Sequence, residues 1–136
     1  MKTKNFPGLL VFTLCASFFI TSCKKDKDDK PSLQGYWAGK YGNTTAYPTQ
    51  PFAILLRNNG TARILANNAD TTAGAKAEGT YTISGSTLTC TYTYIPPGSG
   101  TYSLQAEVNN IFTFMEGGWG NGTSTTNGGK FYFVKK

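Results

Sequence analysis

The sequence contains no histidine, so no imidazole is present to act as a base near neutral pH or to hold a metal. Acids are nearly as scarce: from Pro31 onward there are only Asp70, Glu78, Glu107 and Glu116. No two of them are spaced to work as an acid–base pair, and Glu107 falls on the outer side of its segment by parity. Clusters with metal-ligand spacing are missing, and so is a glycine loop carrying the lysine and following helix that a phosphate cradle needs. Three cysteines, Cys15, Cys23 and Cys90, are too few for a disulfide framework. Charged residues make up 15% of the 136, and the net charge of +6 falls to +3 beyond Pro31, where seven Lys/Arg face four Asp/Glu. No basic cluster survives there to hold a nucleic acid. The one long apolar run, Leu9 to Ile20, has twelve residues, short of the roughly 20 that a helix needs to span a bilayer. The composition therefore points away from an enzyme, implies no cofactor, and leaves a binding or interaction protein.

The first thirty residues are more specific. Lys2 and Lys4 form a positive start, the apolar run follows, and the small residues Thr21 and Ser22 lead to Cys23. That order suits a secretory signal. The stretch Ile20-Thr21-Ser22-Cys23 resembles the lipobox of bacterial lipoproteins, in which the cysteine thiol is acylated and becomes the first residue of the mature chain. The resemblance implies a signal peptide over 1–22, lipidation at Cys23 and a membrane partner reached through the lipid. One acyl chain binds only reversibly, whereas two or more hold stably without a transmembrane helix. Lys24 to Lys30, KKDKDDK, is too polar to pack, and residues 23–34 read as a solvated tether. A lysine followed by acids just after the lipidated cysteine resembles the export signal of surface lipoproteins in Bacteroidetes-type bacteria. It implies an outer-membrane lipoprotein displayed on the cell surface, with the periplasmic face as the alternative. Cys15 leaves with the leader and Cys23 is blocked by lipid, so Cys90 stands alone, expected as a small buried hydrophobe.

From Gly35 to Lys136 the dominant period is two, that of half-buried strands. GYWAGKYG (35–42) places Trp37, Gly39 and Tyr41 on one face. PFAILLRN (51–58) and TARILAN (61–67) flank Asn59-Gly60, a strong hairpin signal because both residues accept positive φ. Residues 67–78 are small and polar without period and predict a loop. GTYTIS (79–84) sets Tyr81 and Ile83 against Thr80 and Thr82, and Gly85-Ser86 turns into TLTCTYTY (87–94), where Leu88, Cys90, Tyr92 and Tyr94 alternate with four threonines. Pro96-Pro97 ends that strand. TYSLQAEV (101–108) points Tyr102, Leu104, Ala106 and Val108 inward. In IFTFME (111–116) Phe112 and Phe114 are expected to share a face. The glycine-rich stretch 117–129 surrounds Trp119, which reads either as an aromatic on a flexible loop or as an inward residue of a continuing strand. KFYFVKK (130–136) closes the chain.

About eight strands with short connections predict an all-β, antiparallel up-and-down barrel, with a two-sheet sandwich as the alternative. A barrel of this size is filled by side chains or holds one small ligand. Gly35-Tyr36-Trp37 resembles the Gly-x-Trp opening of the lipocalin and avidin-like (calycin) barrels, in which the tryptophan plugs the closed end. The order of strand pairs, ending in GWGNGT and a short aromatic strand, looks like the small lipocalin-like lipoproteins of Bacteroidetes-type bacteria. In that family an arginine of the last strand often packs over the tryptophan, where this sequence has Lys135 and Lys136. The resemblance implies binding of a small hydrophobic or amphipathic molecule. Tyr92, Tyr94, Tyr102 and Trp119 are the expected mouth residues of that ligand site, and Trp37 closes its base. The competing expectation is an interaction lipoprotein with a filled barrel that meets an envelope partner or a glycan. Asp70-Thr71-Thr72 resembles the short O-glycosylation site of Bacteroidetes-type secreted proteins, which implies modification at Thr71. Ligand identity and oligomeric state have no signature in the residues.

Overall fold

The computed structural model describes residues 31–67 and 74–136. The expected signal peptide, Cys23 and the Asp70-Thr71-Thr72 motif lie outside the described residues. Eight strands run β1 (Gly35–Tyr41), β2 (Gln50–Leu56), β3 (Thr61–Ala66), β4 (Ala75–Ser84), β5 (Thr87–Tyr94), β6 (Thr101–Val108), β7 (Phe114–Asn121) and β8 (Gly129–Lys135). Each pairs antiparallel with the next, and β8 returns to β1 with Trp37 opposite Lys135 and Tyr41 opposite Phe131. The sheet is therefore a closed up-and-down barrel, as the alternation predicts, and not a sandwich.

Successive side chains on a strand face opposite sides of the sheet, so one apolar set lines the interior. Ile54, Ile64, Leu88, Leu104, Met115 and Phe133 are fully buried there. Cys90 joins them, and burial pushes its thiol pKa up to about 12, so it stays protonated. Small residues alternate with large ones around the tube: Ala62, Ala77 and Ala106 are buried beside the bulky set. The inward positions Gly39, Gly79 and Gly117 have a further role. A Cβ at any of them would overlap the backbone of the neighbouring strand, at Tyr132, Thr91 and Gln105 respectively. Missing side chains at these points let the wall curl tightly enough to close.

The base is sealed from below. Trp37 is 0% exposed, and its indole donates to the Leu33 carbonyl at 2.9 Å. Leu33, within the segment read as tether, is itself only 6% exposed and belongs to the core. The Lys135 ammonium lies 5.6 Å from the centre of the Trp37 ring and also donates to the Ser32 carbonyl. A lysine thus occupies the place where the resemblance implies an arginine. The predicted hairpin forms at Asn59-Gly60, where Gly60 alone takes positive φ, 78°, and the Asn59 amide oxygen accepts from Thr61 N.

Three sequence expectations are corrected. Residues 67–78 are not all loop, because β4 begins at Ala75. Its first residues lack alternation but have a ladder partner in β3, and Glu78 lies across from Arg63 and ion-pairs with both Arg57 and Arg63. Phe112 and Phe114 do not share a face. Phe112 sits in the turn at φ 51° and packs on the core, whereas Phe114 starts β7 facing outward and stacks on Tyr132 at 6.4 Å. The turn is organised by Asn109, whose side-chain oxygen accepts from both Thr113 N and Phe114 N. Ile83 keeps the parity of Tyr81 but is exposed, because β4 overshoots the base.

Candidate functional site

The inward residues nearest the other pole form an aromatic cup. β1, β3, β5 and β7 run toward the mouth, so Tyr41, Ala66, Tyr92, Tyr94 and Trp119 come from strand ends that converge there. Phe52 and Tyr102 enter from the starts of β2 and β6. They surround a cavity of about 240 Å³, with Asn43 and Asn67 contributing from the loops at its rim.

The rings touch one another in an unbroken series. Tyr92 packs against Tyr94 at 5.9 Å and Tyr102 at 6.0 Å, and Tyr94 meets Tyr102 edge-on at 5.5 Å. Tyr102 leads to Trp119 at 6.1 Å, Trp119 to Tyr41 at 5.8 Å, and Tyr41 to Phe52 at 5.2 Å. Edge-to-face and offset pairs of this spacing each contribute about 0.5–1.5 kcal/mol beyond their buried area. The aromatic wall thus covers β5, β6, β7, β1 and β2, and the small residue Ala66 on β3 borders the remaining side.

Trp119 is an inward residue of β7 rather than part of a flexible loop: it lies opposite Leu104 on one side and Gly129 on the other. Its indole donates to the Gly42 carbonyl at 3.1 Å, which ties β7 to the end of β1. Gly128 lies against the ring so closely that a Cβ there would collide with it. The strand and its tie hold the indole in one orientation.

The polar chemistry of the cup is phenolic. Tyr41 donates to the Asn67 side-chain oxygen at 2.6 Å. The hydroxyls of Tyr92, Tyr94 and Tyr102 find no hydrogen-bond partner among the described residues. Tyr92 is only 3% exposed, yet no buried side-chain oxygen among the described residues is both unpartnered and shut off from solvent. Its hydroxyl therefore reaches water through the cup it lines. Burial, with the neighbouring phenols second, drives the Tyr92 pKa well above the ordinary phenol range and that of Tyr94 up to about 12. Burial also raises Tyr41. All stay neutral at physiological pH, and among the described residues no Lys, Arg, Asp or Glu lines the cavity.

Of the expected site residues, Tyr92, Tyr94, Tyr102 and Trp119 come together in the cup. Trp37 does not: it lies at the base, as the resemblance implies for a plug. Tyr41, Phe52, Asn43, Ala66 and Asn67 are additional lining residues. Tyr41 carried a signal, since it shares the inner parity of Trp37 two steps nearer the far end of its strand.

Outside the barrel, Glu107 and Glu116 face each other across β6 and β7. Hydrogen bonds from Thr87 and then Ser86 hold the Glu107 carboxyl below the usual range, so it has no tendency to serve as a proton donor near neutrality. Among the described residues no group of three or more Cys, Asp or Glu gathers where a metal ion could be held. The chain matches no protein-family model and no curated protein.

Proposed function

We propose that this chain is an exported lipoprotein, anchored through acylated Cys23, whose barrel binds a small amphipathic molecule in the aromatic cup. The cup carries the reading. Seven wall residues from six strands converge on one open cavity of about 240 Å³, while the opposite end of the same tube is filled. Concave aromatic sites with a few polar groups are the usual form of a small-molecule site. The leader motif and the polar run after Cys23 support export and anchoring. Binding rather than catalysis fits a cavity whose buried phenols Tyr92 and Tyr94 stay neutral.

Native mass spectrometry of the protein purified from its own host tests the ligand. A retained small molecule, lost in Tyr102→Ala, is the expected result; an unliganded mass in gently extracted protein counts against it. Cys23→Ser should release the protein from membranes, and sedimentation of that variant with the membrane fraction would refute the anchor. Protease shaving of intact cells separates surface display from the periplasmic face.

A second reading has its own observation. The outer wall beside β8 carries a groove of about 700 Å³ bordered by Tyr47, Pro48, Phe114 and Tyr132, with Tyr47 78% exposed. Exposed apolar surface of this kind suits an envelope partner or a glycan. Loss of a co-purifying partner in Tyr47→Ser, with the cup intact, would favour that role.

A further inference from the structure

Resting on the cup as the binding site, we infer that its ligand is a neutral, hydroxylated six-membered ring, a pyranose either free or at the end of a glycan, and not an acyl chain. Three features of the cavity lead there.

The first is depth. Phe52 and Tyr92 line the cavity, and below them Ile54, Ile64, Leu88 and Leu104 are 0% exposed. A long chain has nowhere to descend. A cavity of about 150 Å³ takes a benzene ring, and drug-sized pockets begin near 300 Å³. At about 240 Å³ the cup fits one substituted ring.

The second is hydrogen bonding. An aliphatic guest would displace water from the Tyr92, Tyr94 and Tyr102 hydroxyls and offer nothing back, leaving polar groups desolvated and unpaired. A pyranose presents ring hydroxyls at its rim and C–H faces above and below. The hydroxyls can pair with the phenols and with the Asn43 amide, and the C–H faces can lie on aromatic rings.

The third is charge. Burial holds the Tyr92 and Tyr94 phenols protonated, and among the described residues no ionised side chain lines the cavity. A carboxylate or phosphate would lose its hydration and meet no cation. Lys40, Lys76 and Lys130, the lysines of strand ends near the mouth, do not line it.

The two tryptophans make the test internally controlled, since one lies at the base and one in the cup. The full chain, labelled with nitrogen-15, is titrated with methyl pyranosides, with a terminal-sugar oligosaccharide, with phenol and with decanoate. The two indole signals are assigned using Trp119→Phe. Saturable movement of the Trp119 indole by a pyranoside, with Trp37 unmoved, is the expected result. Affinity should fall at least about ten-fold in Tyr102→Ala while the Trp37 signal shows an intact base. A response to the oligosaccharide but not to free pyranosides assigns the ring to a glycan terminus. Movement by decanoate or phenol alone overturns the pyranose and leaves the cup as a binding site. Silence from every probe overturns both.

Discussion

At the base of the barrel the strands are joined by four, two and five residues; at the mouth by eight, eight, six and seven. The base turns are Asn59-Gly60, Gly85-Ser86 and the Asn109 turn, each closed by local hydrogen bonds or a left-handed residue. Beneath them the interior is packed to Trp37 and capped by Leu33 and Lys135. At the mouth the same eight strands carry side chains that pack sideways on each other and leave the centre open. The wall is one continuous sheet, so the difference arises from side-chain choice at the strand ends. Aliphatic residues interdigitate and fill, whereas linked aromatic rings hold one another apart. The packed core lies at one pole and the open cup, the proposed binding site, at the other.

The strongest test of that division is Trp37→Ala. It should cost about 3–5 kcal/mol by denaturant unfolding, as removal of a fully buried aromatic does, with ligand affinity of the remaining folded protein unchanged. A variant that keeps its stability but loses binding would show that the poles are not separate. Gly117→Ala comes next, at about 1–3 kcal/mol, because the added methyl meets the Gln105 backbone; a calorimetric midpoint equal to wild type would mean that the wall tolerates a looser curl.

The mouth should show its own weakness in alkali. Tyr94 titrates near 10 when unfolded and about 12 when folded. The folded state therefore holds its proton more tightly, and this contribution is fully present below pH 10 and lost as pH rises toward 12. Tyr94→Phe should flatten that part of the stability–pH curve, and an unchanged slope would remove Tyr94 as its source. The smallest effect on stability is expected from Tyr92→Phe. Its hydroxyl has no protein partner among the described residues, so the unfolding free energy should shift by no more than about 0.5 kcal/mol. Affinity should fall about ten-fold, a difference of about 1.4 kcal/mol. A large loss of stability would place that hydroxyl in the structural half of the molecule.

How much of this was legible in the residues follows the same division. The alternation in Thr87–Tyr94 places Leu88, Cys90 and Tyr92 inward without knowledge of partners, because the pleat is a local property. Parity places Trp37 on the inner face, and its role as a plug is what the resemblance to the Gly-x-Trp opening implies. Ala75–Glu78 shows no period, and its strand exists because β3 supplies a ladder and two arginines. Gly117 and Gly118 carry no side chain to show a period, and they join β7 because backbone on both sides needs the room. The fuller membership of the cup depends on which strand ends meet at one pole. Phe52 and Asn67 are far from Tyr102 in sequence, and their convergence is fixed by register and closure rather than by any local pattern.

Ser32 and Leu33 cross beneath the barrel, and Lys136 ends beside them, bonded to the Tyr36 carbonyl. The described chain thus enters β1 from the pole opposite the cup. A chain held by its amino-terminal side is therefore attached at the end away from the opening. A fluorescent protein or affinity handle joined after Lys136 would hang at the underside and leave the rim unobstructed.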